Sequence, residues 1–260
     1  MIPLDPGYLY GYGVFETINV YDAKPAFFGE HIKRLESSSL LIDLECQFDV
    51  SGILMDCFKM IKENSMDTGA LRITHSKGST NNNLIITARE NHYGDKIYQQ
   101  GVSLNISDYV RNERSLLVNI KSNNYLENLL ILNMGINKGF NESIFFNSKG
   151  YLAEGCISNI FFAKNKKVYT PAIDNGLLAG IIRNKVIELL KAEKISIEEG
   201  YYYKESLLDA DEVFITNSLM EIMPVNRIGH QPFSVENEGL TNQLKALYKE
   251  HYYRNKEIRK

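Results

Sequence analysis

Short apolar runs separated by hairpin-length polar turns recur along this 260-residue chain. Runs of four to eight residues with alternating polarity are typical of half-buried strands, and short turns between them join antiparallel neighbours. The pattern predicts largely antiparallel sheets rather than a doubly wound parallel fold. The clearest runs in the second half of the chain are 143–147, 151–153, 157–163 and 168–170.

Apolar residues at helical spacing interrupt these runs and give an α+β (mixed α/β) fold class. The sequence predicts helices at 29–41, 50–61, 125–136, 181–193 and 240–252. In the third of these, the stripe predicted to face the core is Leu126, Leu129, Leu130 and Met134, and a strand over 116–120 is predicted before it. Residues 91–100 are polar and lack periodicity, so the predicted division is a small domain over 1–94, a linker over 95–100 and a larger domain over 101–260.

The composition excludes several classes of function. The net charge is −3, so no overall basic field points to nucleic acid or to a membrane surface. No apolar run is long enough to span a membrane, and we see no signal segment, so we expect a cytoplasmic protein. The three cysteines form no disulfide framework, which fits a reducing compartment, and the five histidines show no metal-ligand spacing.

One stretch, 154–180, combines features that suit a ligand. Glu154 ends a predicted strand, and Gly180 precedes a predicted helix, where unpaired N–H groups can hold a phosphate. Upstream, Lys121 follows the predicted strand 116–120, and Arg34 lies three residues after His31 on one helical face. The pattern alone favours an exposed lysine and a surface salt bridge for Lys121 and Arg34.

The order of these landmarks resembles the class IV family (fold type IV) of pyridoxal-phosphate enzymes, and this resemblance reverses that interpretation of Lys121 and Arg34. The family includes branched-chain aminotransferases, D-amino-acid aminotransferases and aminodeoxychorismate lyases. It implies two domains, a small N-terminal α/β domain and a larger C-terminal pseudo-barrel domain, and a homodimer. Most relatives carry an additional strand and turn before the segment matched by Asp5-Pro6-Gly7. The resemblance therefore does not fix which strand forms the edge of the first domain. The matching segments are 10–17, 31–35, 121–126, 154–161, 170–171, 180–183, 210–212 and 217–218.

The resemblance also implies roles for individual residues, with pyridoxal 5'-phosphate as the cofactor. Lys121 is expected to bond covalently to the cofactor and then to carry a proton, and Glu154 to pair with the ring nitrogen. Tyr125 is expected beside the phenolic oxygen of the ring. The expected phosphate ligands are Arg34, the N–H groups of Ile181 and Ile182, and the segment that contains Asn217 and Ser218.

The segments 121–126 and 216–224 most resemble the aminodeoxychorismate lyases. Phe15 stands where D-amino-acid aminotransferases carry a tyrosine, and the loop 79–83 lacks the Arg-x-His pair with which those enzymes hold a carboxylate. The candidates for contact with a small-molecule substrate are therefore Phe15, Arg72, His75 and Lys77. We expect a lyase that converts 4-amino-4-deoxychorismate to 4-aminobenzoate and pyruvate in folate biosynthesis. The alternatives are a D-amino-acid or branched-chain aminotransferase and a non-catalytic binding module of the same fold.

Overall fold

A computed structural model of the chain describes residues 4–236 and 238–254. The chain divides into two compact units. The first contains the residues up to His92 together with 120–126, and the second contains 93–119 together with the residues from Glu127 onward. Both units contain a sheet and helices, so the predicted mixed α/β class is confirmed.

The first unit is a four-stranded sheet in which every neighbouring pair is antiparallel, in the order β2-β1-β3-β4. Its helix α3 begins after Asp49, whose side chain accepts a hydrogen bond from the backbone N–H of Gly52 at 3.0 Å, as a helix N-cap does. The elements are α1 (Pro6–Tyr10), β1 (Gly13–Tyr21), β2 (Lys24–Pro25), α2 (Phe28–Leu41), α3 (Val50–Glu63), β3 (Gly69–Ser76) and β4 (Asn83–Arg89).

Alternation along β1 and β3 gives this sheet two different faces. Ile18 pairs with Leu71, and both are fully buried, as is Ile73 on the same face. Phe15 and Arg72 belong to the opposite set, because neighbouring residues of a strand point to opposite sides. The candidate residues Phe15 and Arg72 thus share a face by register alone.

The second unit is a nine-stranded mixed sheet in the order β10-β9-β8-β11-β12-β5-β6-β7, with β13 paired to β12. Its core packs aliphatic and aromatic side chains from β5, β6, β8, β11 and β12. The strands are β5 (Val102–Ile106), β6 (Glu142–Phe146), β7 (Leu152–Gly155), β8 (Asn159–Lys164), β9 (Lys167–Pro171), β10 (Ile197–Gly200), β11 (Glu212–Asn217), β12 (Glu221–Ile228) and β13 (Gln231–Pro232). The helices are α4 (Asp95–Gln100), α5 (Leu126–Asn137), α6 (Ile181–Ala192), α7 (Lys204–Leu208) and α8 (Leu240–Lys249).

The predicted strand 116–120 is wrong, because these residues form consecutive turns. The hydroxyl of Ser115 accepts the backbone N–H of Leu117 at 3.3 Å, and its carbonyl accepts that of Val118 at 3.2 Å. Such local bonds compete with strand pairing. Leu116 is 92% exposed and Leu117 and Val118 are only half-buried, so little core packing favours an extended form for these residues.

The predicted inward stripe of α5 is also wrong. Leu126, Leu129, Leu130 and Met134 are all exposed, whereas Asn128, Ile131 and Gly135 are buried. A side chain at position 135 would collide with the hydroxyl of Ser143, and Ile131 packs with Phe145, so the helix lies against β6 through the face that carries Asn128, Ile131 and Gly135. An apolar face of α5 is consequently left open to solvent.

Among the described residues, no helix is both long and apolar enough to span a lipid bilayer.

Candidate active site

The segment that carries Lys121 is fixed to the start of β1. The carbonyl of Lys121 accepts the backbone N–H of Phe15 at 2.9 Å, and the N–H of Asn123 donates to the carbonyl of Gly13 at 2.8 Å. Val14 and Ser122 form an antiparallel bridge between these two bonds. The backbone of Lys121 is therefore held as firmly as a strand residue, although its side chain is only half-buried.

Three of the other predicted site residues meet around the ring of Phe15. The guanidinium of Arg72 lies 3.6 Å from the ring centre, and the Lys121 amine lies 4.5 Å from it. Tyr125 packs edge-on against Phe15 with ring centres 5.5 Å apart, and the Lys121 amine lies 5.3 Å from the Tyr125 ring. Aromatic faces attract cations, so the two rings orient both positive groups.

Arg72 is tethered at its other edge. Its Nε donates to Thr74 Oγ1 at 3.2 Å, and its Nη2 donates to Asn123 Oδ1 at 3.3 Å. Burial, and then the positive charge of Arg89, lower the pKa of Arg72. A half-buried guanidinium next to Lys121 is chemically suited to a carboxylate.

The structure does not bring His75 to this cluster. His75 lies three residues after Arg72 in β3. Because successive side chains of a strand alternate between its two faces, His75 points to the opposite face of the sheet. There its Nδ1 lies 2.8 Å from the hydroxyl of Ser39, and its ring packs edge-on against Phe48. Lys77 follows the end of β3, and its main chain bonds to Tyr12 and Gly7. The prediction of a substrate contact is therefore wrong for His75, because strand alternation turns it into the core.

Arg34 is bound to a carboxylate that the sequence analysis missed. Its Nε and Nη2 donate to the two oxygens of Glu16 at 2.6 and 2.7 Å, and His31 Nδ1 lies 2.7 Å from the same group. Burial on its own would raise the pKa of Glu16, but the charge and hydrogen bonds of Arg34 lower it to about 2. The bidentate edge of Arg34 that was predicted for phosphate thus holds Glu16, which fixes the direction of the guanidinium.

Glu154 lies at the end of β7 and is 8% exposed. Its Oε2 accepts the backbone N–H of Leu178 at 3.0 Å, and its Oε1 lies 3.3 Å from Nη2 of Arg111. Hydrogen bonds and a nearby positive charge both favour the ionised form of a carboxyl group. Glu154 can therefore act as an anionic acceptor, which is what a partner for a protonated ring nitrogen must be.

A second buried carboxylate, Glu142, supports the turn that follows Glu154. Its Oε1 accepts the backbone N–H groups of Ser143 and Cys156, each at 3.0 Å, and its Oε2 accepts the hydroxyl of Ser158 at 3.2 Å. Burial raises the pKa of Glu142 to about 7 despite these donors. A side chain on Gly155 would collide with Ser158, so the small residue makes room for this internal contact.

The N-terminus of α6 is built for an anion. The peptide group of Leu178 is held on both sides, since its N–H donates to Glu154 and its carbonyl accepts Asn159 Nδ2 at 2.8 Å. The helix then begins at Ile181 after Gly180, and no side chain caps it in the described part of the chain. Exposed N–H groups at a helix start attract negative groups.

The neighbouring β11–β12 turn contains the other predicted phosphate residues. Asn217 Oδ1 accepts the backbone N–H groups of Leu219 and Met220, each at 2.9 Å, and its Nδ2 donates to the carbonyl of Ile157 at 3.2 Å. Asn217 therefore shapes the turn that presents Ser218. Thr216 Oγ1 is a buried hydroxyl without a hydrogen-bond partner among the described residues, which fits a site completed by a polar ligand.

Sequence reasoning missed Glu16, Arg111 and Glu142. Glu16 and Glu142 are charged residues inside or beside an apolar strand pattern, where a carboxyl group would otherwise be costly to bury. That mismatch was a usable signal for Glu16 and Glu142. Nothing in the sequence pairs Arg111 with Glu154, because 42 positions separate them and only the fold brings them together.

Comparison with known proteins decides the family. The model described as amino-transferase class IV matches residues 13–228. This chain belongs to the class IV aminotransferase family. It is 33% identical to the aminodeoxychorismate lyase of Bacillus subtilis (strain 168) over 259 residues, covering 95% of this chain and 88% of that one.

Family members with other activities are similar as well. The chain is 30% identical to the D-alanine aminotransferase of Bacillus licheniformis over 244 residues, covering 87% of this chain and 82% of that protein. The solved branched-chain amino acid aminotransferase of Escherichia coli is 25% identical with a TM-score of 0.89, covering 96% of this chain and 88% of that one. Family membership therefore includes lyases and transaminases, and the choice between them depends on the site.

Proposed function

We propose that this class IV enzyme is an aminodeoxychorismate lyase, which converts 4-amino-4-deoxychorismate to 4-aminobenzoate and pyruvate. The similarity to the Bacillus subtilis lyase over 95% of the chain supports this choice. The observation that carries it is the Phe15–Arg72 stack at 3.6 Å beside Lys121, where a flat apolar surface and a cation suit a cyclic carboxylate substrate.

Family membership implies pyridoxal phosphate, which when bound withdraws electrons from the carbon that bears the substrate amine. The residues present fit such a group. Glu154 supplies an anionic acceptor for a ring nitrogen, the α6 N-terminus supplies N–H donors for a phosphate, and the unpartnered Thr216 hydroxyl supplies a further polar atom.

Lys121 and Tyr125 would have separate roles in the reaction. Lys121 would hold the cofactor covalently and then take the proton from the amine-bearing carbon of the substrate. The same amine would return a proton to the enolpyruvyl group as its carbon–oxygen bond breaks, which releases pyruvate and leaves an aromatic ring. Tyr125, packed edge-on against Phe15, would bond the phenolic oxygen and fix the plane of the ring.

The phosphate would be held by main-chain and side-chain donors. The N–H groups of Ile181 and Ile182 and the hydroxyl of Ser218 would donate to it. Arg34 would contribute its charge, with Glu16 fixing the guanidinium. The side chain of Asn217 is occupied in its own turn, so any contact from this residue would come from its main chain.

The substrate would be oriented by its carboxylate. Arg72 would bind it, while the ring of Phe15 lies beneath the same region. A substitution Arg72→Ala should raise KM at least tenfold, since loss of a charged hydrogen-bonded contact costs about 1.5–3 kcal/mol. Arg89→Ala serves as a matched loss of one exposed positive charge from the neighbouring strand β4.

The decisive experiment is single-turnover mixing of the cofactor-loaded protein with 4-amino-4-deoxychorismate, followed by absorbance. Formation of 4-aminobenzoate, without conversion of the cofactor to its amine form, is the expected result. Conversion to the amine form by D-alanine or D-glutamate would instead support the D-amino-acid aminotransferase. Lys121→Ala should abolish both the reaction and the reducible bond to the cofactor, and a variant that keeps either would overturn the role of Lys121.

We also propose that the chain forms a homodimer. The exposed apolar face of α5, made by Leu129, Leu130, Met134 and Ile136, supports an interface because large apolar patches rarely stay open to water. Sedimentation of the wild type and of Leu130→Glu tests this, with Lys138→Glu as a charge control on the adjacent turn. A wild-type monomer at micromolar concentration would overturn the proposal.

A further inference from the structure

Arg111 is the buried cation of the second unit that stands beside Glu154. It is 8% exposed, and its guanidinium lies 4.0 Å from the ring centre of Phe145. Its backbone N–H donates to the carbonyl of Phe146 at 2.9 Å, and it forms a parallel bridge with Asn147. The main chain and the aromatic face together fix this charged group in place.

Two carboxylates lie near Arg111, and they differ in burial. Glu127 Oε2 is 3.9 Å from Nη1, but that side chain is 66% exposed and its attraction is screened by water. Glu154 Oε1 is 3.3 Å from Nη2 and its side chain is 10% exposed. The interaction with Glu154 is the stronger one because both groups are shielded from solvent.

Arg111 also reaches the turn after Glu154 through an amide. Its Nη1 donates to Asn128 Oδ1 at 3.2 Å, and Asn128 Nδ2 donates to the carbonyl of Cys156 at 2.6 Å. The side chain of Glu154 and the main chain two residues later are thus tied to the same guanidinium.

The hydrogen bonding of Arg111 is incomplete. Its buried Nε has no hydrogen-bond partner among the described residues, and its buried Nη2 meets Glu154 as an ion pair at 3.3 Å without hydrogen-bond geometry. Unpaired donors on a buried cation are costly, so purely structural packing gives a poor account of this residue. The donors on this side of the guanidinium match the geometry with which arginine binds a carboxylate in a bidentate manner.

We propose that Arg111 is a positioning residue that keeps Glu154 ionised and aimed at the ring nitrogen of the cofactor. This inference rests on the proposed function for the cofactor, but its charge component concerns the protein alone. Glu142 shows what the same unit does to a buried carboxyl group that accepts hydrogen bonds and has no ion-pair partner in the described chain, since its pKa is raised to about 7. Without Arg111, Glu154 would also be a buried carboxyl group without a nearby positive charge, and it should take up a proton more readily.

The test measures protonation of Glu154 in the cofactor-free protein by infrared difference spectroscopy between mildly alkaline and mildly acidic pH. Arg111→Gln keeps hydrogen-bond donors but removes the charge, and Arg111→Lys keeps the charge. The expected result for Arg111→Gln is a protonated-carboxyl band that a second substitution, Glu154→Gln, removes. The midpoint of that band should lie above the wild-type value, because the nearby positive charge is gone, whereas the midpoint for Arg111→Lys should lie near wild type.

Arg183 provides the matched control. It is 2% exposed, its Nη2 donates to Glu199 at 2.7 Å and to the carbonyl of Pro171 at 2.9 Å, and it belongs to the same unit. Arg183→Gln removes a buried charge at a different carboxylate, so it should leave the protonation of Glu154 unchanged. A Glu154 band in the unmodified protein at neutral pH, or its absence in folded Arg111→Gln, would overturn the proposal.

A second measurement separates this inference from the proposed function. We compare binding of pyridoxal phosphate with binding of its analogue that carries carbon in place of the ring nitrogen. The preference for pyridoxal phosphate should become pH-dependent in Arg111→Gln over the range in which Glu154 titrates, and pH-independent in Glu154→Gln. A protein that binds neither compound would overturn the proposed function, whereas the infrared titration decides the charge assignment by itself.

Discussion

Glu16 in the first unit and Glu142 in the second are two carboxyl groups with equal burial and opposite electrostatics. They are 1% and 2% exposed. Glu16 faces Arg34 and His31, and the pKa of Glu16 falls to about 2. Glu142 faces backbone N–H groups and a hydroxyl, and burial raises the pKa of Glu142 to about 7. Burial thus determines how strongly a neighbouring group changes the pKa of the carboxyl group. The charge of that neighbour determines whether the pKa falls or rises.

The difference assigns different tasks to the two groups. The Glu16 ion pair fixes the orientation of a guanidinium, which suits a residue proposed to face a phosphate. Glu142 accepts two donors from the turn 155–158 and the backbone N–H of Ser143, and so acts as an internal anion that organises main chain. Glu154, with one backbone donor and one arginine, combines both kinds of contact.

Removal of Glu16 should give the largest effect. Glu16→Ala leaves Arg34 and His31 without their shared carboxylate in a buried site, and breaking a buried pair from one side costs about 3–5 kcal/mol. Urea unfolding of the variant and the wild type at neutral pH measures the change in the free energy of unfolding.

Glu142→Gln is the comparison variant for this experiment. Because burial raises the pKa of Glu142 to about 7, the charged form contributes less at neutral pH, and the destabilisation should be clearly smaller than that of Glu16→Ala. Equal losses in the two variants would mean that volume and packing, rather than partner charge, govern both positions.

The sequence predicted the sheets and most of the helices because period and turn signals are local properties. The faces of α2 and α3 follow from apolar spacing in the same way, since Ile32, Leu35, Ile53 and Ile61 recur at helical spacing and are all buried. The strand 116–120 failed because the hydrogen bonds that Ser115 accepts outweighed a weak apolar run whose first residue, Leu116, is exposed.

The α5 face failed for a different reason. An apolar stripe on a helix indicates that a face can be buried, but it does not say which element covers it. Here β6 packs against the face of α5 that carries Asn128 and Gly135. Long-range charge pairs are likewise outside the reach of sequence patterns. Arg34 and Lys121 were singled out through a family resemblance, while Arg111 had neither a pattern nor a motif to identify it.

Titration of Glu16 and titration of Glu142 should each change the free energy of unfolding by about 3 kcal/mol, and the two changes have opposite signs. A folded pKa near 2 against an ordinary value of 4.5 means that the Glu16 contribution is complete above about pH 4.5 and is lost as the pH falls towards 2. For Glu142, the folded state binds the extra proton between about pH 4.5 and 7. Its carboxyl therefore lowers stability as the pH rises through that range.

Unfolding free energies across pH check these signs directly. The free energy of unfolding of the wild type minus that of Glu142→Gln should fall as the pH rises from about 4.5 to 7. The free energy of unfolding of the wild type minus that of Glu16→Gln should rise as the pH rises from about 2 to 4.5. A Glu142→Gln difference that stays flat through neutral pH would contradict the assigned titration.

The smallest effect concerns one donor in the Glu142 site. Ser158→Ala removes the hydroxyl that donates to Glu142 Oε2 at 3.2 Å, and loss of such a bond to a charged group costs about 1.5 kcal/mol. Because the hydroxyl stabilises the carboxylate, the loss should be largest above pH 7 and should shrink as Glu142 becomes protonated. Thr170→Ala, which removes a buried hydroxyl that donates at 2.8 Å to the neutral carbonyl of Ile160, should cost the same at every pH. Matching pH profiles for the two variants would show that the hydroxyl of Ser158 supports packing and not the charge on Glu142.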